Sequence, residues 1–169
     1  NRGLTEPTHL ASFIAADKRL SADPFLIPDM HQAVTRTYRA LLSGENIAIY
    51  GDFDTDGITA AILLVQGISR LGGKVVPYLP HRLNEGHGVK TAVLEKLCQQ
   101  GISLVITVDC GITALAEVKK AQRKGLDIII TDHHTPPDTI PPAVAVVNPK
   151  LPGSRYPFLE LAGVGVAFK

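Results

Sequence analysis

The chain has 169 residues, 17 Lys+Arg against 16 Asp+Glu, and two cysteines, a length for one domain or one and part of another. Hydrophobic residues at 45 % and charged residues at 20 % exclude a disordered chain and a coiled coil. The formal net charge of +1 excludes a strongly basic nucleic-acid tail and leaves room for a local basic patch.

Asn1-Arg2-Gly3-Leu4 lacks the basic-then-apolar layout of a signal peptide. No later apolar run approaches the ~18 residues that span a bilayer. Residues 1–45 mix apolar and polar positions at helical spacing, broken by Pro24 and Pro28. Asp29 reads as the N-cap of a helix reaching Leu42, with Gly44 as its stop. From residue 46 short apolar runs alternate with helices. Strand 47–50 precedes helix 57–71, strand 75–79 precedes helix 89–100, and strand 102–108 precedes helix 114–124. Strand 126–131 and a weaker run at 143–147 flank residues 135–142, whose four prolines demand a loop.

This rhythm predicts an α/β fold: a parallel, Rossmann-like sheet of about five strands with helices on both faces. A helical arm over 1–45 precedes the sheet domain over 46–169. The runs are continuously apolar, as for strands covered on both sides. Cys98 falls inside a helix, and Cys110 is apolar-flanked beside Asp109. Both read as packing residues of a protein kept in a reducing cytoplasm. The chain starts without Met and stops in the apolar stretch 161–169 with no helix-stop signal, so it is expected to be a fragment of a longer protein.

Polar groups follow every predicted strand. Gly51-Asp52-Phe53-Asp54-Thr55-Asp56-Gly57 follows the first and Pro80-His81-Arg82 the second. Asp109-Cys110-Gly111 follows the third, Asp132-His133-His134 the fourth and Asn148-Pro149 the fifth. In an open parallel sheet the carboxyl ends share one edge, where ligands bind. Asp52, Asp54, Asp56, Asp109, Asp132, His133 and His134 should therefore converge, with His81 and Arg82 nearby. So many carboxylates repel unless a cation is present. Carboxylates mixed with imidazole suit a divalent first-row ion such as Mn²⁺. Asp109 follows the middle strand and is the candidate bridge between two metals. Arg82 offers a fork that matches phosphate oxygens.

Blander readings compete for each element. An EF-hand start fails, because position twelve from Asp52 is Leu63 rather than Glu. Asp56 alone is as readily a helix N-cap, and paired histidines alone are ordinary loop residues. Asn84-Glu85-Gly86-His87-Gly88 alone reads as a turn. Three Asp in five residues joined to two further strand ends are not accounted for by capping.

Asp132-His133-His134 after a strand resembles the name-giving motif of the DHH phosphoesterases, and residues 51–57 resemble their first motif. Val108-Asp109-Cys110-Gly111, Pro80-His81-Arg82, Glu85-Gly86-His87-Gly88, Asp29-Met30 and the closing residues 161–169 resemble the RecJ branch. The likeness runs over essentially the whole chain. It implies a single-strand-specific DNA exonuclease of recombination and repair, degrading from the 5′ end with Mn²⁺ or Mg²⁺. It implies metal ligation by Asp54, Asp56, Asp109 and His133, with Asp52 as a further candidate ligand. Arg82 and His134 would hold the scissile phosphate, beside His81. The family's later metal-binding Asp and its DHHA1-type nucleic-acid-binding domain fall beyond Lys169, so the DHH domain over 46–169 is expected to be C-terminally truncated.

In an extended chain neighbouring side chains point to opposite faces. His133 and His134 then need not share a role, in keeping with one ligand and one phosphate contact, and Asp52, Asp54 and Asp56 can face one side if their segment is extended. The implied chemistry is a metal pair that activates water and stabilises the attacking and leaving oxygens of an in-line displacement. Other DHH phosphoesterases, such as an oligoribonuclease, a cyclic-dinucleotide phosphodiesterase or a pyrophosphatase, share this core. A phosphoacceptor receiver domain would gather Asp residues too, with Lys150 as its cation, but gives no reason for two histidines. A non-catalytic RecJ-like binding domain is opposed by the intact Asp set. Aromatic residues are only 5 % and Trp is absent, so this chain offers few stacking platforms for single-stranded bases.

Overall fold

The structure, a computed structural model, describes residues 6–15 and 21–169. The parts of the expected helical arm at 1–5 and 16–20 lie outside the described residues. Helix α1 spans Pro7–Ile14, a 3₁₀ turn Pro24–Leu26 and α2 Met30–Ser43. The βα series follows: β1 Asn46–Gly51, α3 Thr55–Arg70, β2 Lys74–Tyr78, α4 Thr91–Gln99, β3 Ile102–Val108, α5 Leu115–Gln122, β4 Asp127–Thr131, β5 Ala145–Val147 and α6 Gly163–Phe168.

All strand pairs are parallel, in the order β2-β1-β3-β4-β5. The order reverses direction between β1 and β3, which makes that crevice the place where an open α/β sheet receives ligands. β1, β3, β4 and β5 are buried almost throughout, as their continuous apolar sequence requires. The expectation of two covered faces fails at β2. It is an edge strand, half open to solvent, with Lys74 and Pro77 in its length.

Two apolar layers clamp the sheet. Leu94, Leu97, Val118 and Ala121 of α4 and α5 cover one face with Val105, Ile128 and Ile130. Ala33, Ala40, Ala60, Ile68 and Val166 of α2, α3 and α6 cover the other with Ile47, Ile49 and Ile129. Arg36 of α2 binds Glu45 through Nη2 at 2.7 Å and Asp127 through Nε at 2.6 Å, tying α2 to the approach of β1 and the start of β4.

Asp29 stands at the N-cap of α2, but it does not cap the helix with its side chain. Its backbone is left-handed (φ 57°), and Oδ2 instead accepts a hydrogen bond from the Val146 N–H of β5 at 3.0 Å. The long-range partner prevails because an edge-strand N–H would otherwise lie unpaired.

Candidate metal centre

The β1 loop carries three carboxylates, and its course differs from the extended segment expected. Asp54 is the N-cap of α3: its Oδ1 accepts from the Gly57 N–H at 3.0 Å, and the helix begins at Thr55. That hydrogen bond holds the Asp54 carboxyl below its ordinary range, against the opposing pull of burial. The helix start takes the segment out of the extended form that would align the three. Gly57 lies so close to Asp52 that a Cβ there would sit 2.5 Å from the Asp52 N and O atoms. Only glycine lets the first turn of α3 rest on this strand end.

Asp52 is buried, accepts from the Phe53 N–H at 2.6 Å and places Oδ2 3.0 Å from Nδ1 of His87. Asp56 turns toward α6. Its Oδ2 accepts from the Gly163 N–H and its Oδ1 from the Val164 N–H, each at 2.7 Å.

Asp109 ends β3 in a left-handed conformation (φ 61°), which a non-glycine residue adopts only when its surroundings hold it there. Its N–H donates to the Thr131 carbonyl at 3.0 Å, and Thr107 Oγ1 donates to the Cys110 carbonyl at 2.8 Å. The turn aims the carboxylate into the β1–β3 crevice, where it is 2 % exposed. Its Oδ1 lies 3.0 Å from His133 Nε2 yet accepts no directed hydrogen bond. Burial, then the charges of Asp56 and Asp54, push this carboxyl up to about 7. A buried oxygen without a hydrogen bond, faced by other carboxylates and an imidazole, is the environment that a divalent cation relieves.

The two histidines leave β4 around a common anchor. Asp132 is fully buried, and its Oδ1 accepts from the His133 N–H at 2.7 Å, the His134 N–H at 3.1 Å and His134 Nδ1 at 2.7 Å. Its Oδ2 accepts from the Ile112 N–H at 3.0 Å. Asn148 Nδ2 donates to the His134 carbonyl at 2.9 Å. This wrapping departs from the opposite faces of an extended chain: the rings stand 4.6 Å apart, and Asp109, His133 and His134 each offer a ligand atom within 4.8 Å of the others. His133 Nε2 also lies 3.7 Å from Asp56 Oδ2. Burial opposes the charged form of His134, but the hydrogen bond and charge of Asp132 outweigh it and raise the imidazole pKa.

The loop after β2 closes over the same edge. Glu85 accepts from Tyr78 Oη at 2.5 Å and from the His81 N–H at 2.6 Å, and Tyr50 Oη donates to the Gly88 carbonyl at 3.1 Å. The His87 ring packs on Phe53 at 4.2 Å, and the exposed Arg82 guanidinium lies 5.5 Å from the Phe53 ring centroid. His81 is exposed and enters this network only through its backbone. An apolar hollow lies elsewhere, between α2, α3 and α6, lined by Leu41, Leu64, Ile68 and Val166.

The model of the DHH family, N-terminal domain, matches residues 46–169. The chain belongs to the DHH family. The single-stranded-DNA-specific exonuclease RecJ of Bacillus subtilis (strain 168) is 46 % identical over 147 residues, covering 87 % of this chain and 19 % of the relative. A crystal structure of exonuclease RecJ bound to manganese superposes with TM-score 0.79 at 38 % identity, covering 88 % of this chain and 37 % of the other. RecJ from Thermus thermophilus in complex with Mn²⁺ matches with TM-score 0.68 at 34 % identity, covering 95 % of this chain and 23 % of the other. The same protein in complex with Mg²⁺ matches at TM-score 0.51 and 28 % identity, covering 95 % and 19 %. The chain thus spans about a fifth of the length of the curated RecJ relative it matches. Among the described residues no helix is long and apolar enough to cross a membrane.

Within the DHH frame, the expected ligands Asp56, Asp109 and His133 stand together, and Asp54 lies close enough to Asp109 to raise its pKa. Asp52 is drawn toward His87. Three features were not assigned from sequence: the anchoring part of Asp132, the His87–Asp52 pair, and the two α6 amides on Asp56. The Glu85-Gly86-His87-Gly88 motif signalled the second of these. Nothing local signals the third, because its partners are 107 residues apart.

Proposed function

We propose that this chain carries the metal-binding core of a phosphodiesterase that degrades single-stranded DNA from the 5′ end in recombination and repair, in the manner of the RecJ exonucleases it resembles. The observation that supports it most is the buried, hydrogen-bond-free Asp109 Oδ1, 3.0 Å from His133 Nε2 at the reversal point of the sheet.

Asp54, Asp56, Asp109 and His133 would hold Mn²⁺ or Mg²⁺, Asp109 as the ligand common to two ions, and Asp52 would shape the β1 loop from its bond to His87. Bound there, the ions supply a water nucleophile near neutral pH and offset the charge of the phosphate oxygens. The residues do the remainder. Asp132 holds His134 through Nδ1 and favours the charged ring, in which Nε2 also carries a proton and donates toward a phosphate oxygen. Arg82, on the Glu85-braced loop, presents a fork to the same phosphate. Phe53 and His87 form the floor beneath it.

The test is hydrolysis of 5′-labelled and 3′-labelled single-stranded and duplex oligonucleotides in Mn²⁺ by the full-length protein that carries this chain, beside its Asp109→Ala variant. Mn²⁺-dependent release from the 5′ end of single strands only, abolished in Asp109→Ala, is expected. Hydrolysis of pyrophosphate or a cyclic dinucleotide in preference to DNA would place the chain with other DHH phosphoesterases. Retained Mn²⁺ binding without hydrolysis of any of these would make it a binding domain.

A further inference from the structure

We propose that the backbone of Gly163 and Val164 is a positioning element of the metal centre, clasping the Asp56 carboxylate while the bare Cα of Gly163 leaves room for Asp109. The inference rests on the metal reading above. It concerns how ligands are held rather than which residues they are.

Both Asp56 oxygens are engaged by successive amides, Oδ2 by Gly163 and Oδ1 by Val164, each at 2.7 Å. These are charge-assisted bonds to N–H groups that, in the first turn of a helix, have no intrahelical acceptor. Two donors fix the carboxylate plane and rotamer, and each oxygen keeps a second lone pair for another partner. The Asp56 carboxylate is thereby held 3.7 Å from His133 Nε2 by amides of another helix.

Gly163 also abuts the other ligand. A Cβ at Gly163 would lie 2.6 Å from both Cβ and Oδ1 of Asp109 and 2.8 Å from its Cγ. No real Cβ tolerates such contacts, and Asp109 has little freedom to retreat, being buried and in a left-handed backbone. The atom that a side chain would strike is the same Oδ1 that accepts no hydrogen bond. One residue therefore touches both carboxylates flanking His133. Helix α6, which carries it, packs on α3, the helix that begins beside Asp56. Gly165, two residues on, is different: its Cβ would meet only Leu161, at 3.4 Å, an ordinary contact.

Gly163→Ala and Gly165→Ala, made in this chain, separate the two situations. Mn²⁺ affinity is read from the electron paramagnetic resonance signal of free Mn²⁺, and metal-free thermal midpoints are recorded in EDTA. Gly163→Ala is expected to bind Mn²⁺ about tenfold or more weakly, the size of effect that displaced outer partners have on a metal site. Gly165→Ala is expected to match the unaltered chain. A purely structural role would lower the metal-free midpoint of Gly163→Ala and leave the affinity of the folded protein intact, and that result overturns the proposal. If Gly163→Ala does not fold, the unaltered protein decides. The Gly163 and Val164 amide resonances should shift saturably with Mg²⁺, and amides that stay unmoved at saturation overturn it equally. If the unaltered chain takes up neither ion, the metal reading falls and this inference with it. If the chain binds Mn²⁺ and Gly163→Ala binds it equally, only this inference falls.

Discussion

Nδ1 of His134 lies 2.7 Å from Oδ1 of Asp132, a fully buried carboxylate that also accepts three backbone N–H groups. The acid therefore sets both the tautomer of the ring and the path of the chain that carries His133. Asp132→Asn replaces one acceptor oxygen by a donor. It should lower the His134 pKa, since the raising influence of the carboxylate is lost, and cost about 1–3 kcal/mol for a buried N–H left unpaired. Proton NMR titration of the His134 ring and urea denaturation check the two effects.

Asp109 gives the metal-free protein a pH dependence of definite sign. Its carboxyl is raised from 3.8 to about 7 on folding, so the folded state binds the proton more tightly than the unfolded state. The associated stability is fully present below about pH 4 and declines as pH rises through 7. Metal uptake runs the opposite way, because the ligand must ionise, and Mn²⁺ affinity should climb over the same interval. Thermal midpoints in EDTA between about pH 5 and 8 should fall for the unaltered chain and stay flatter in Asp109→Asn. Added Mn²⁺ should reverse the trend.

The Glu85 brace predicts a separation of binding from metal uptake. Glu85→Gln and Tyr78→Phe loosen the loop that presents Arg82, and Arg82→Ala removes the fork itself. All three should raise KM for single-stranded oligonucleotide, Arg82→Ala the most, with Mn²⁺ content unchanged. Arg82→Lys should restore little, because Lys lacks the paired donors. Steady-state kinetics beside metal analysis checks this. A fall in Mn²⁺ content with Arg82→Ala would mean the loop belongs to the metal site.

Arg36 is 11 % exposed at its side chain and holds Glu45 and Asp127, which are 22 % and 42 % exposed. Arg36→Ala strands two neighbouring carboxylates and should destabilise by about 2 kcal/mol, between the values for surface and buried pairs. Arg36→Lys should recover only part, since one ammonium cannot repeat the three bonds the guanidinium makes. Urea denaturation at low and high salt measures both.

The five strands and their order of chemistry were legible because each strand is a short apolar run closed by a polar group, and glycines mark most helix ends. The carboxylates and histidines at the sheet edge were legible for the same reason. What escaped was decided by distant partners. Asp29 and Val146 are 117 residues apart, and Asp56 and Val164 are 108 apart, so no local pattern announces either bond. The Asp52–Asp56 segment left the extended form because the Gly57 amide draws Asp54 into a helix cap. His133 and His134 share a site because a third side chain, Asp132, bends the chain beneath both.

The bond from Asp29 to the Val146 amide carries a consequence for solubility. β5 borders the sheet, and an unguarded border strand is a template on which another chain can pair and aggregate. Asp29 occupies an N–H that such a partner would need and sets a negative charge beside it, while Lys74 and Pro77 spoil the opposite border at β2. Both margins of the sheet are thus closed to recruitment of a sixth strand, one by a carboxylate from the preceding arm and the other by its own sequence. Asp29→Ala should leave the metal centre intact and yet shorten the time the protein stays monodisperse on mild heating.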